Sequence, residues 1–155
     1  MKILMATDGT DTAIEAAQMA LLLLRDGAEI LLVTVIQNYE DPLEMAGGFE
    51  GPLRTPEEAE QEFLRQQASG QSALERAQAA LGRAADVRLV PTDADPGHAI
   101  VDIANELHPD LIVLGSTEKG FFLRLLTGSV SEYVVRHAPC PVLVVPHRGA
   151  AKEPG

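Results

Sequence analysis

Four scarcities narrow what this chain of 155 residues can be. It has one cysteine, Cys140, so an internal disulfide and a paired-cysteine metal site are both excluded. Cys140 lies between Pro139 and Pro141 and reads as a structural thiol. Aromatic residues make up 4% and tryptophan is absent, which leaves little surface on which single-stranded nucleic acid could stack. Basic residues number 12 against 23 acids, and the net charge of -11 argues against nucleic-acid phosphate as a partner. No apolar run is long enough to span a bilayer; Leu21–Leu24 is four residues inside a helical pattern. The apolar start Ile3-Leu4-Met5-Ala6 stops at Thr7-Asp8-Gly9, too soon for a signal peptide, so the expected address is the cytoplasm.

What is present is a globular composition, 46% hydrophobic and 23% charged, at a length suited to one domain. The expected domain is 1–146, with 147–155 a frayed tail. The acidity is local. Residues 40–62 carry eight acids against Arg54 alone, so most of the excess negative charge belongs to one segment.

Apolar runs and helical patterns alternate along the chain. Met1–Thr7, Ile30–Ile36 and Leu111–Leu114 read as buried strands, Val87–Val90 as a short third strand ending at Pro91, and Val142–Val145 as a last strand between prolines. Helices are expected over 12–26, closed by Gly27; from Pro56 to about Arg83; from Pro96 through Leu107, capped by Asp95 and ended by His108-Pro109; and over about 129–138. Thr10 or Asp11 can cap the first helix. Residues 37–55 show no period and contain Gly47-Gly48, Gly51, Pro42 and Pro52. Gly70 is expected to weaken the long helix. Strand–helix alternation predicts an α/β fold, a parallel sheet covered by helices on both faces, with right-handed crossovers.

The stretch Pro109–Val130 concentrates the chemistry. Its strand ends at Gly115, a polar loop carries Gly120, and Thr127-Gly128-Ser129 opens the next helix. Ser129 and Glu132 have capping-box spacing. Free amides and the positive end of a helix dipole would converge there, as an anion requires. It is not a P-loop, because no Gly-Lys-Ser/Thr follows the glycines. By itself, a glycine-rich strand–loop–helix is a weak signal.

The longer string is specific. Gly115-Ser-Thr, Gly120, Leu125-Leu-Thr-Gly-Ser-Val-Ser131 and His137-Ala-Pro-Cys-Pro-Val-Leu-Val-Val-Pro146 resemble the C-terminal half of a universal stress protein. The nucleotide-binding branch of that family has a glycine, two residues, a glycine, nine residues and Gly-Ser or Gly-Thr. Gly115 and Gly128-Ser129 match, but Glu118 stands where the middle glycine belongs. The resemblance implies a Rossmann-like, adenine-nucleotide alpha-hydrolase-like fold: a five-stranded parallel open sheet of order 3-2-1-4-5. It also implies a crevice between strands one and four, at the switch point where such sheets take ligands. There Ala6, Asp8, Val35, Leu114, Gly115, Gly128, Ser129, Val130 and Ser131 would contact ATP or another adenine nucleotide, with the Asp8 carboxylate receiving the base or ribose. An Asx turn into Gly9 explains Asp8 equally well, and a plain helix cap explains Ser129.

Glu118 leaves three outcomes: it turns to solvent, it holds Mg²⁺ against phosphate, or it rejects triphosphate. Repulsion at about 4 Å is roughly 1 kcal/mol per charge pair in water, and AMP or cyclic AMP would be less affected. Lys119 and Arg124 are possible phosphate contacts that would offset it. His98, His108, His137 and His147 have no metal-ligand spacing and suit structural roles. No nucleophile–base pair presents itself, so any ATP turnover would be slow. A homodimer through the apolar edge Val142–Val145 is expected, as in related proteins. The rival reading is a nucleotide-free dimeric stress adaptor or interaction domain.

Overall fold

A computed structural model describes residues 1–38, 55–116 and 130–146. These residues build one sheet of five strands in the order β3-β2-β1-β4-β5, every pair parallel. The strands are β1 (Lys2–Ala6), β2 (Glu29–Gln37), β3 (Asp86–Thr92), β4 (Leu111–Ser116) and β5 (Val142–Pro146). The helices are α1 (Asp11–Leu23), α2 (Pro56–Leu81), α3 (Pro96–Leu107) and α4 (Val130–His137).

The unbroken apolar runs become central strands because both sheet faces are covered. Odd residues of β1, with Leu32 and Val113, pack under α1 and α2 through Ala16, Ala17, Ala20, Leu74 and Ala77. Leu4, Val33, Ile112 and Leu114 on the other face pack under α3 and α4 through Ile100, Ile103, Ala104 and Val134. Side chains of successive strand residues point to opposite faces, so a two-sided core demands apolar residues at every position.

Boundaries moved where local chemistry was stronger than period. The first helix ends at Leu23 with Leu24 as its cap, three residues before its expected end, and Gly27 (φ 84°) sits in the following turn. The third strand does not stop before Pro91 but continues through it to Thr92. Thr92 offers its carbonyl to the Asn38 amide of the β2 side at 2.8 Å. Its neighbour Pro91 therefore faces away from the sheet, where an edge strand needs no N–H. The long helix begins with a reciprocal capping box between Thr55 and Glu58 and ends at Gly82 in the left-handed region (φ 63°).

Gly70 has a different role from the weak point expected of it. A Cβ there would lie 2.5 Å from Leu89 Cδ1 and 3.0 Å from Ile36 Cγ2. The glycine is the place where α2 touches the sheet, so packing outweighs the helix-propensity cost of roughly 1 kcal/mol. Arg83 donates to the Ala28 carbonyl at the opposite end of β2. The turns of α2 before Gly70 thus extend past the β2 tip, carrying Glu57, Glu58, Glu60 and Glu62 to the rim above the strand ends.

Candidate functional site

The C-terminal tips of β1 and β4 are neighbours: Ala6 pairs with Leu114 across one side of β1 and with Val33 across the other. Chain direction diverges at this pair. β1 leads to α1 on one face of the sheet, while β4 leads toward α4 on the other. The crevice of a doubly wound sheet opens at such a point.

Beyond Ala6 the chain is held by a ladder of short hydrogen bonds. The Thr7 amide donates to the Val33 carbonyl at 2.9 Å. The Thr34 hydroxyl donates to the Thr7 carbonyl at 2.8 Å, and both threonines are buried. The Gly9 amide donates to Thr7 Oγ1 at 3.1 Å. Asp8 Oδ1 accepts from the Thr10 amide at 3.0 Å and from the Thr10 hydroxyl at 2.6 Å. Thr10 Oγ1 in turn accepts from the Ala13 amide as the N-cap of α1.

Asp8 is therefore an Asx-turn residue, the structural one of its two expected roles. The turn uses Oδ1. Oδ2 has no hydrogen-bond partner among the described residues, and Asp8 is exposed just beyond the β1 tip. The two roles are compatible within one carboxylate.

Gly9 has φ 72°, and a Cβ there would lie 2.3 Å from Ala73 Cβ and 2.6 Å from Ala73 Cα. The loop after β1 is thus clamped between β2 on one side and α2 on the other. Arg76 Nη2 reaches within 3.2 Å of the same point and brings a guanidinium beside the loop.

The structure adds to the expectation at Gly115. Its missing Cβ would lie 3.0 Å from Ala16 Cβ and 3.4 Å from Ala13 Cα. Close approach of α1 to β4 favours a glycine there, a packing reason that stands beside the expected phosphate contact. Leu114 is buried against α3 and α4, and Ala6 and Val35 are half-buried on that face. Ser131 is buried in the first turn of α4, whereas Val130 is exposed. Glu118, Lys119, Arg124, Gly128 and Ser129 lie outside the described residues, as do the loop 39–54 and the tail 147–155.

Three of the histidines have visible neighbours. His98 of α3 and His137 of α4 stack on Tyr133, with ring centroids 3.8 and 4.1 Å apart. A Cβ at Gly97 would meet Tyr133 at 3.2 Å, so that glycine admits the ring between the helices. His108 is the C-cap of α3 with φ 49°. Cys140 sits at the opposite end of the sheet from the crevice. Burial and then the Asp110 carboxylate push its thiol pKa up, and a hydrogen bond with the Ile112 backbone opposes them. Among the described residues no group of three or more His, Cys, Asp or Glu could hold a metal ion. Among them, too, no helix is long and apolar enough to cross a membrane.

Sequence reasoning missed Thr7, Thr34 and Ala73. Two hydroxyls inside otherwise apolar strand runs were the available signal, since a buried hydroxyl needs a partner.

A doubly wound α/β domain with its switch point between β1 and β4 is the class these features define. The universal stress protein family model matches residues 1–146. A universal stress protein of Methanocaldococcus jannaschii is 33% identical over 147 residues, covering 93% of this chain and 81% of that protein. The chain belongs to the universal stress protein family. Among solved structures, a universal stress protein in complex with cAMP is 24% identical with a TM-score of 0.62, covering 95% of this chain and 97% of the other. A family member from Arabidopsis thaliana with AMP bound is 19% identical with a TM-score of 0.64, covering 96% and 93%. Both share the fold.

Proposed function

We propose that this universal stress protein is a regulatory module that binds an adenine nucleotide at the β1–β4 crevice. The observation that carries the proposal is the exposed Asp8 carboxylate just beyond the β1 tip, whose Oδ1 is committed to the turn while Oδ2 has no hydrogen-bond partner among the described residues. A carboxylate oxygen accepts hydrogen bonds from an adenine amino group or a ribose hydroxyl. Ala6, Val35 and Leu114 supply the apolar floor for a flat ring. Gly115, Gly128, Ser129, Val130 and Ser131, with the dipole of α4, receive the phosphate. The cAMP and AMP found with two proteins of the same fold support this ligand class.

The shorter phosphate is favoured over ATP. Glu118 occupies the family's middle-glycine position and adds negative charge next to the phosphate-binding loop, which a monophosphate tolerates better than a triphosphate. Should ATP bind, Mg²⁺ bridging Glu118 and the phosphates would offset that charge, with Lys119 and Arg124 as the nearby cations. A homodimer through β5 accompanies this reading, because Val142, Leu143 and Val144 remain half-exposed on an edge strand.

Isothermal titration with AMP, cyclic AMP, ADP and ATP, each with and without Mg²⁺, tests the proposal. Saturable heat with a monophosphate is the expected result. Absence of heat and of thermal shift with all four overturns it and favours the alternative, a nucleotide-free dimeric adaptor.

A further inference from the structure

We infer that Thr34 is a positioning residue for the ligand: its hydroxyl, acting through the Thr7 carbonyl, sets the direction in which Asp8 presents its free oxygen. The inference rests on the nucleotide-binding reading and deepens it.

The controlling element is the peptide between Thr7 and Asp8. Its orientation decides where Asp8 Cα and its carboxylate point. The Thr7 carbonyl receives the Thr34 hydroxyl at 2.8 Å in a buried setting. The Thr7 amide is already taken by the Val33 carbonyl, so both polar groups of Thr7's main chain are fixed by β2. Thr7 then uses its own hydroxyl to accept from the Gly9 amide at 3.1 Å. The next residue, Gly9, cannot drift, because Ala73 fills the space where its Cβ would be. Between these two anchors the Asp8 main chain is held, and its side chain closes the turn to Thr10 through Oδ1, which leaves Oδ2 available.

A hydroxyl is not what packing alone would choose at position 34. Thr34 lies on the sheet face that carries Leu32 and Ile36, and its Cγ2 is 3.6 Å from the place of a Cβ on Gly70. Valine fills the same volume and has the higher affinity for such a surface. The hydroxyl's contact with Thr7 is therefore the feature that distinguishes threonine from valine here. Without it the Thr7 carbonyl is buried unpaired, and the peptide rotates to find another donor. Ligand recognition is sensitive to such small displacements, since one ångström at a binding group costs orders of magnitude in well-organised sites.

The test uses the full chain and two probes, AMP and cyclic AMP. Thr34→Val is expected to weaken both by about tenfold, and Thr34→Ser, which keeps the donor, to restore wild-type affinity. A positioning role is separated from general loosening by repeating the comparison in an Asp8→Asn background at raised ligand concentration. If Thr34 acts through Asp8, the two losses are non-additive and Thr34→Val changes little there. Should Thr34→Val fail to fold, Thr34→Ala carries the same cycle, because it too removes the donor to the Thr7 carbonyl. Wild-type affinity in the Thr34→Val protein overturns the inference, and so does an equal loss in both backgrounds. Failure of the wild-type protein to bind AMP, cyclic AMP, ADP and ATP alike overturns the nucleotide reading itself, and the inference with it.

Discussion

Replacing Gly9 by alanine is the sharpest probe of how the crevice loop is built. Two costs are imposed together. The residue sits at φ 72°, and a β-carbon in the left-handed region costs roughly 1–2 kcal/mol. The new methyl would also lie 2.3 Å from Ala73 Cβ and 2.6 Å from Ala73 Cα, so a helix backbone, not a flexible side-chain end, must give way. Overpacking of that kind costs about 1–3 kcal/mol. Restricting the unfolded chain returns at most about 1 kcal/mol, and only where the native conformation is unstrained. The net expectation is a loss of about 2–4 kcal/mol, a large part of a typical domain's stability. At this chain length each kcal/mol moves the midpoint by about 2–4 °C, so Tm should fall by roughly 5–15 °C. Calorimetry and urea unfolding followed by circular dichroism read the change, with an unchanged m-value as the sign that only the native state was altered. In the Gly9→Ala protein, Ala73→Gly should recover part of the loss despite a helix-propensity cost of about 1 kcal/mol. A Gly9→Ala protein melting within about 2 °C of wild type would refute the clamp between this loop and α2.

Glu118→Gly should raise ATP affinity several-fold, as removing one charge near a polyphosphate predicts; unchanged or weaker binding means the carboxylate points elsewhere or assists through Mg²⁺. Val144→Lys, a charge placed on the half-exposed edge strand, should convert dimers to monomers by light scattering, and an unaltered mass would dismiss pairing through β5. Asp110→Asn should increase the alkylation rate of Cys140 by about two- to threefold at pH 8. The sign follows from the carboxylate, which pushes the thiol pKa up and so lowers its thiolate fraction; burial, the larger cause, persists in the variant and keeps the reaction slow. Equal rates would mean that Asp110 does not reach the sulfur.

The sequence by itself determined the layering of this protein. Nearly continuous apolar runs in β1, β2 and β4 require burial on both faces, and that requirement commits them to a parallel sheet with helices above and below. The cap at Thr10 and the stop at His108-Pro109 were also legible, because they act within a few residues of chain; Asp95 takes the N-cap position of α3 as expected but makes no side-chain cap hydrogen bond. The motif around Gly115 and Gly128-Ser129 pointed to the family and to the crevice.

The reasons behind particular residues belonged to the tertiary structure. Gly70 looks like a flexible position in the chain, yet it is where a helix presses on the sheet against Leu89 and Ile36, and Gly115 likewise lets α1 approach β4 at Ala16. Pro91 stays within a strand because that strand lies at the edge and the ring faces outward. The hydroxyl of Thr34 finds Thr7 only because β2 and β1 lie side by side, 27 residues apart in sequence. Local chemistry is written in neighbouring residues. Which side chains meet across the sheet depends on how distant segments pack, and close packing is where a single methyl or hydroxyl acquires its meaning.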